Sequence, residues 1–497
     1  MNTTVITALY LLNLYLIISL PSHTQELKNK QIAVVSGIIQ GSNNQALILH
    51  IGNYDFINEE IQSHRILTGK DGSFSHSIHI EHKMVQRLKE ITLITDTQEV
   101  SLLNGEYLLE PGDSIVVDIR SIPTGYNINF TGRGSAKYHL ELKLNDISSR
   151  NHQKLNYYYN EKILNVDSLK NICRISVDSI LALKYFYEKT INPTSLNIMI
   201  ADHIGGTYSN ITILNALHQI GQEKGGLRKP TLSFLRGIHW DADSFPDSII
   251  LMSRNYQIYL LQRTRYQLTA ANSKKSVTLK DIYYQQKRNF IGKIREALLI
   301  LTLKSIANAA FRSEQKDSAI LLWKDAAKII ETPFLKDYAT RRATYKTKGN
   351  KVIDFTMEDT AGRQVKLSDL RGKVVFMNVW FTGCTSCIRF HRMLEKCIYP
   401  EFGNEADLIF LNISADTNRN TWKSSIASGQ YTRSEDLNLF SNGRGFEHPF
   451  LQYYEFQSSG ESLLLDRNGT IFASRLPHHD MKALADIIKS ALNNKQP

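Results

Sequence analysis

Between residues 31 and about 125, apolar and polar positions alternate in short runs, at 32–38, 45–51, 74–80, 91–95 and 114–119, the period-two pattern of half-buried strands. Lys70-Asp71-Gly72 and Glu110-Pro111-Gly112-Asp113 punctuate these runs as turns, so residues 31–125 predict a small antiparallel β-sandwich. From about Lys137 to Tyr345 the apolar period lengthens to that of helices, for example over 168–187 and 317–338, and turn residues are few. A helical domain over 133–345 follows, without a repeat of fixed period. The basic, polar stretch 341–351 reads as a linker, and a further domain opens at its end and occupies 350–497.

In that last segment Val374 to Trp380 is apolar except for Asn378, the pattern of a central strand covered on both faces. Phe381-Thr382-Gly383 breaks the run and Cys384 follows. Cys387, Phe390, Leu394 and Cys397 then recur at helical spacing on one face, which predicts Cys397 in the core. The run 407–413 begins 34 residues after the run 373–380, the interval of a βαβ unit. Leu463-Leu464-Leu465, the turn Asp466-Arg467-Asn468-Gly469 and Thr470-Ile471-Phe472-Ala473 predict a hairpin, and 480–492 a closing amphipathic helix. Strand, helix, strand, hairpin, helix is the order of a thioredoxin fold. The fold class expected is therefore multidomain: a small β-sandwich, a helical middle domain and a C-terminal α/β thioredoxin fold.

The start of the chain adds a compartment. The first 25 residues carry no charged side chain, and residues 5–20 are apolar apart from Thr7, Asn13 and Ser19. This reads as a signal peptide over 1–24, with Ser22 and Thr24 before the cleaved bond and Gln25 opening the mature chain. The run falls short of the ~20 apolar residues of a bilayer span. A periplasmic or otherwise extracytoplasmic protein with no stable membrane span after cleavage is expected. The 497 residues, 42% hydrophobic and 22% charged, fit a soluble protein of several domains. A net charge of +11 changes little, because the basic residues are spread along the chain and no nucleic-acid motif accompanies them. No nucleic-acid partner is expected.

Four cysteines in 497 residues are too few to staple a secreted scaffold, and two of them stand three apart. A Cys-x-x-Cys at the handover from strand to helix sets the first sulfur against the free N–H groups and positive end of the helix, which favours thiolate over thiol. Cys384 is then the nucleophile, and Cys387, one turn in and expected to be the more buried, resolves the mixed disulfide. Three other uses of such a pair stand beside this one. A zinc site needs further ligands beside Cys387 and His391, and a covalent haem needs His where Ile388 stands. A permanent structural disulfide is the third. No metal or cofactor is expected. Cys173, inside a helical pattern, reads as a buried small hydrophobe, and His478-His479-Asp480 as a loop and helix cap.

Val352 to Asp359, Gly362, Val365 to Lys373, Trp380 to Cys387 and Leu463 to Gly469 together resemble the TlpA and ResA-like thiol-disulfide oxidoreductases. The N-terminal segment resembles the small β domain that precedes thioredoxin modules in Bacteroidetes envelope proteins. That second likeness rests on Lys70-Asp71-Gly72-Ser73-Phe74, on Tyr107 to Ile115 and on Phe130 to Ala136. The resemblance implies a disulfide reductase or isomerase that acts on protein thiols or disulfides and is served by an upstream membrane electron donor. It also places a substrate groove and supporting shell at Gly460, Ser459, Gly383, Asn378, Trp380 and Phe390. Gly460 stands where the family has a cis-proline, Phe390 where it has a glutamate, Arg392 where it has a proline, and Gly383 where a tryptophan often precedes the first cysteine. Asn378 stands where thioredoxins keep a buried acid. Peroxiredoxins share the fold, but their nucleophile follows a threonine by three positions, and Phe381 stands there. The second reading of the chain, from another class, is an envelope binding or scaffolding protein with a redox-weak thioredoxin fold.

Overall fold

The computed structural model describes residues 31–54, 59–80, 85–95, 98–123, 125–160, 166–209, 245–271, 277–308, 313–454, 456, 462–474 and 476–494. The signal peptide expected at 1–24 lies outside them. The chain forms two compact units, Met1–Gln315 and Lys316–Pro497.

In the first unit eight strands make two four-stranded sheets. They are β1 (Ile32–Ile39), β2 (Ala46–Tyr54), β3 (Glu59–Leu67), β4 (Ser73–His79), β5 (Val85–Ile94), β6 (Glu99–Leu109), β7 (Ser114–Ile122) and β8 (Gly125–Arg133). The sheet orders are β4-β1-β7-β8 and β3-β2-β5-β6. Alternation of buried positions with half-buried or exposed ones along β1 sends Ala33 and Val35 inward, where they share one core with Leu47 and Leu49 of β2 and with Ile115 and Val117 of β7. The expected sandwich is present, with two corrections. It is not wholly antiparallel, since β1 and β7 pair in parallel after the chain has left the first sheet and returned. It also runs past residue 125, because β8 pairs with β7 along its whole length. Three strands, β3, β6 and β8, lack an expected counterpart; all are sheet edges, and β8 and the end of β3 are mostly exposed, which leaves a weak pattern.

Seven helices follow among the described residues of this unit: α1 (Ser135–Asn160), α2 (Val166–Tyr187), α3 (Pro193–Ser209), α4 (Asp247–Met252), α5 (Arg254–Ala271), α6 (Leu279–Asn289) and α7 (Gly292–Asn308). They are packed on the sandwich, not set apart from it. Leu108 of β6 joins the helical core, and Tyr138 of α1 joins the sandwich core. Two buried ion pairs bridge the same boundary. Arg87 of β5 pairs with Asp202 of α3, which also accepts the Ser253 hydroxyl at 2.6 Å and the Asn255 N–H at 3.1 Å. Lys137 of α1 reaches Asp113 at 2.8 Å and pairs with Glu110 as well. The Glu110-Pro111-Gly112-Asp113 turn thus anchors the first helix to the sheet.

The helical stretch expected to continue to 345 divides between the units. Helices α8 (Ser313–Ile329) and α9 (Pro333–Thr344) go with the C-terminal unit, apart from the first residues of α8. Residues 341–344, expected in a linker, are the last turn of α9. Arg342 there is buried, its guanidinium 5.4 Å from the Trp323 ring and 4.5 Å from the Tyr345 ring. Tyr345 in turn stacks on Tyr454 of the thioredoxin fold. Composition misleads here because a guanidinium with aromatic partners tolerates burial that its charge alone would forbid.

The second unit is built on a seven-stranded sheet of order β10-β9-β13-β12-β11-β14-β15. Its strands are β9 (Thr356–Asp359), β10 (Gln364–Lys366), β11 (Val374–Trp380), β12 (Leu408–Ser414), β13 (Leu437–Phe440), β14 (Ser462–Leu465) and β15 (Ile471–Ala473). Every residue of β11 is buried, between parallel β12 and antiparallel β14. One face of the sheet packs on α10 (Thr385–Cys397) and, after α11 (Tyr399–Phe402), α12 (Arg419–Ala427) and α13 (Pro449–Tyr453), on the closing α14 (Met481–Asn493), through Phe376, Phe390, Leu394 and Ile488. The thioredoxin order read from the sequence is therefore present, with the hairpin β9–β10, α12 and β13 added to it.

If the buried Arg87–Asp202 pair fastens the helices to the sandwich, Arg87→Ala strands a buried carboxylate. A loss of about 3–5 kcal/mol is expected, seen as a lower urea midpoint of the full chain followed by circular dichroism.

Candidate dithiol site

β11 carries the chain to the C-terminal edge of the sheet at Trp380, and the turn Phe381-Thr382-Gly383 hands it to α10. Polar groups from two neighbouring segments fix that turn. Asp416, two residues beyond the end of β12, accepts the Thr382 N–H at 2.9 Å and the Thr382 hydroxyl at 2.8 Å. The Ser414 hydroxyl donates to the same carboxylate at 2.9 Å, and Ser425 of α12 lies 2.8 Å from the Thr382 hydroxyl. Gly383 has φ +91°, a conformation that a tryptophan at this place would adopt only under strain. Its N–H donates to the Tyr431 hydroxyl at 2.8 Å, and Tyr431 stacks on Trp380 with ring centroids 4.9 Å apart.

Cys384 is the N-cap of α10, and its sulfur accepts the Cys387 N–H at 3.0 Å. A cap of this kind satisfies one of the helix's orphan donors. The two cysteines are joined by a disulfide, with Cα atoms 5.3 Å apart. In this state both are buried, Cys384 4% and Cys387 3% exposed, so the expected contrast between an accessible and a covered sulfur is absent while they are bonded. Trp380, Trp422, Ile426, Tyr431 and Phe440 enclose them.

The remaining expected residues fall in different places. Phe390 lies in the core beneath the helix, 4.4 Å from the His478 ring, whose Nε2 is 2.6 Å from the Ser462 hydroxyl. His478 therefore packs against the dithiol helix, and Asp480 caps α14 by accepting the Ala483 N–H at 3.0 Å. Asn378 is buried in β11, its Nδ2 3.5 Å from Asn412 Oδ1 and its own Oδ1 without a hydrogen bond. Ser459 and Gly460 lie outside the described residues. Cys173 is buried in α2, and burial pushes its thiol up to about 12. Cys397 corrects an expectation: it is exposed. Ten residues along a helix of 3.6 residues per turn, its direction has drifted from that of Cys387, and the inward positions are 387, 390, 391 and 394.

Sequence reasoning missed Asp416, Ser425 and Tyr431. For Asp416 a signal existed, since Trp380 pairs with Ser414 and puts the residues just past both strand ends side by side. It also missed the packing of two histidines. His391, one turn beyond Cys387, and His448, before α13, are buried, and desolvation holds both imidazoles below the ordinary 6.5. Among the described residues no three His, Cys, Asp or Glu side chains gather as a metal would require.

The Redoxin family model matches residues 347–477. The thiol-disulfide oxidoreductase ResA of Bacillus subtilis is 46% identical over 95 residues, 19% of this chain and 48% of the relative. A ResA of Bacillus cereus is 25% identical over 124 residues, 25% of this chain and 66% of the relative. The chain spans less than half the length of the first curated relatives it matches: 48%, 42% and 37%. Among solved structures, the thioredoxin domain of a thiol-disulfide oxidoreductase from Bacteroides vulgatus is 24% identical, with a TM-score of 0.26 over 30% of this chain and 99% of its own. A thiol:disulfide interchange protein from Bacteroides sp. is 23% identical, with a TM-score of 0.26 over 30% and 93%.

Two outcomes follow from this geometry. Asp416→Ala removes a charged acceptor from Thr382 and Ser414, and a loss of about 1.5–3 kcal/mol in stability is expected from urea unfolding. The depressed imidazoles of His391 and His448 set a pH dependence. Both groups bind protons more readily unfolded, so their contribution is complete above 6.5 and is lost as pH falls below it. Thermal unfolding across that range should show the decline, and His391→Gln should flatten it.

Proposed function

We propose, from the premise that the C-terminal domain belongs to the ResA-like branch of thioredoxin-fold proteins, that the chain is an extracytoplasmic disulfide reductase working through Cys384 and Cys387. On this reading residues 1–24 export the chain and are removed, and residues 350–497 carry the chemistry. The observation that carries the proposal is the Cys387 N–H donated to the Cys384 sulfur at the first turn of α10. That donor and the helix dipole favour a thiolate at Cys384 once the disulfide is reduced.

The reaction balances on the two sulfurs. The Cys384 thiolate attacks one sulfur of a substrate disulfide, an S–S bond to Cys384 forms, and the other substrate sulfur leaves as thiolate and takes a proton from solvent. Cys387 then attacks the Cys384 sulfur, the intramolecular disulfide forms, and the second substrate sulfur leaves reduced. Two electrons have passed to the substrate. A membrane electron donor upstream returns them to the dithiol. Asn378, Trp380, Gly383 and Phe390 shape the surroundings of the pair, and the family resemblance assigns Ser459 and Gly460 to the substrate groove. Protein disulfides are the substrate class.

One observation favours the second reading, a fold kept for binding: both sulfurs are buried when bonded, so reductant and substrate must reach a covered site. Insulin reduction separates the two. The full chain should reduce insulin at the expense of dithiothreitol, Cys384→Ser should abolish the activity, and Cys387→Ser should accumulate mixed disulfides with its substrate. Absence of any disulfide exchange from about pH 6 to 9, which spans the thiolate titration of activated cysteines, moves the assignment to the binding protein.

A further inference from the structure

The resolving half of this exchange requires Cys387 to lose a proton, and its thiol stands in a buried site. Burial alone holds a thiol protonated, as Cys173 illustrates in the same chain. The two positions where the family resemblance leads one to look for an acid hold Asn378 and Phe390, and neither accepts a proton. The structure places another titratable group close by. His391 follows Cys387 by four residues on α10, and both face inward. At that spacing Cβ atoms are ~5–6 Å apart on a helix, which puts the imidazole on the same buried face as Cys387, one turn away.

The environment of His391 is that of a proton-accepting group. It is 2% exposed and its Nε2 makes no hydrogen bond, Glu395 Oε1 standing 3.6 Å away. The ring also bonds the backbone of Gly429, in the loop between Ile426 and Tyr431, and both of those residues pack against the cysteines. The charged and titratable groups around it come from three elements. Glu395 lies on its own helix. Tyr399 lies on α11, its ring 5.9 Å from the imidazole. Asp436 and Arg433 come from the segment before β13. Asp436 is itself held by Arg433 at 2.7 Å, by the Tyr399 hydroxyl at 2.9 Å and by Asn412 Nδ2 at 3.1 Å. A proton arriving on His391 therefore meets two carboxylates against one guanidinium, while desolvation keeps the resting ring neutral and able to accept it.

We propose that His391 is the proton acceptor for Cys387 in the resolving step, an inference that rests on the oxidoreductase reading. With a substrate sulfur bonded to Cys384, the Cys387 thiol passes its proton to the imidazole, directly or through one water. The resulting thiolate attacks the Cys384 sulfur, the Cys384–Cys387 bond forms, and the bond from Cys384 to the substrate breaks. The substrate sulfur departs with the electron pair and is protonated by solvent, and the imidazolium returns its own proton to solvent. Cys387 is oxidised and the substrate sulfur reduced.

The test reads the resolving step alone. In the reduced full-length chain with Cys173 and Cys397 replaced by alanine, 5,5′-dithiobis(2-nitrobenzoate) leaves one thionitrobenzoate on Cys384, and release of the second reports the attack by Cys387. His391→Gln should slow that second release by roughly 100-fold and remove the rise of its rate with pH as the imidazole loses its proton. His391→Asn, which equally cannot accept a proton, should do the same and serves if the Gln variant does not fold by circular dichroism. A second release of unchanged rate and pH profile overturns the proposal. That failure is distinct from a failure of the oxidoreductase reading, which insulin reduction reports separately.

Discussion

The N-terminus of α10 leaves backbone N–H groups without helical acceptors, and one of them, from Cys387, is met by a sulfur instead of the usual hydroxyl or carboxylate. The rest of the C-terminal unit is arranged so that this contact occurs where it does. The wholly buried β11 fixes the point at which the chain must turn, and Asp416 and Tyr431 hold Thr382 and Gly383 so that Cys384 arrives at the cap. Trp380, Trp422 and Phe440 then exclude water from the pair. In such surroundings a hydrogen bond to sulfur is electrostatically stronger than it would be in water.

The first unit solves a different problem with related means. Its helices and its sandwich meet across two buried ion pairs, Arg87 with Asp202 and Lys137 with Asp113 and Glu110. Each charge is surrounded by further partners, such as the Ser253 hydroxyl at Asp202. Buried ions so satisfied add little net stability but fix how surfaces fit together, because a displaced arrangement leaves a charge unpaired. The turn motif around Glu110, legible in the sequence only as punctuation, is thus the device that joins strand to helix.

What the sequence disclosed and what it withheld divide along physical lines. Strands buried on both faces, such as β11 and β12, announce themselves by continuous apolar runs, and the site at the end of β11 was legible with them. Strands such as β3 and β8 did not, since both of their faces are largely exposed and the apolar alternation is lost. The residues that hold the Cys384 turn were hidden for another reason: Ser425 and Tyr431 reach it from α12 and the loop beyond, a relation that only tertiary structure supplies. Arg342 looked like a linker residue because charge usually means solvent, and the aromatic rings that make its burial tolerable are distant in sequence or ordinary in composition. Cys397 looked inward because a spacing of three or four, repeated from residue to residue, accumulates an angular error by the third turn.

The central claim is that Cys384 and Cys387 form a reversible two-electron couple and not a fixed staple. Equilibration of the intact chain in glutathione buffers of graded ratio, followed by rapid alkylation and mass spectrometry of the cysteine-containing peptides, tests it most directly. The account predicts a single transition in which Cys384 and Cys387 become alkylated together as the buffer becomes more reducing, while Cys173 and Cys397 form no disulfide with either of them. A pair that stays bonded at every ratio while the chain remains folded, or a bond from Cys384 to any cysteine of the chain other than Cys387, would contradict it.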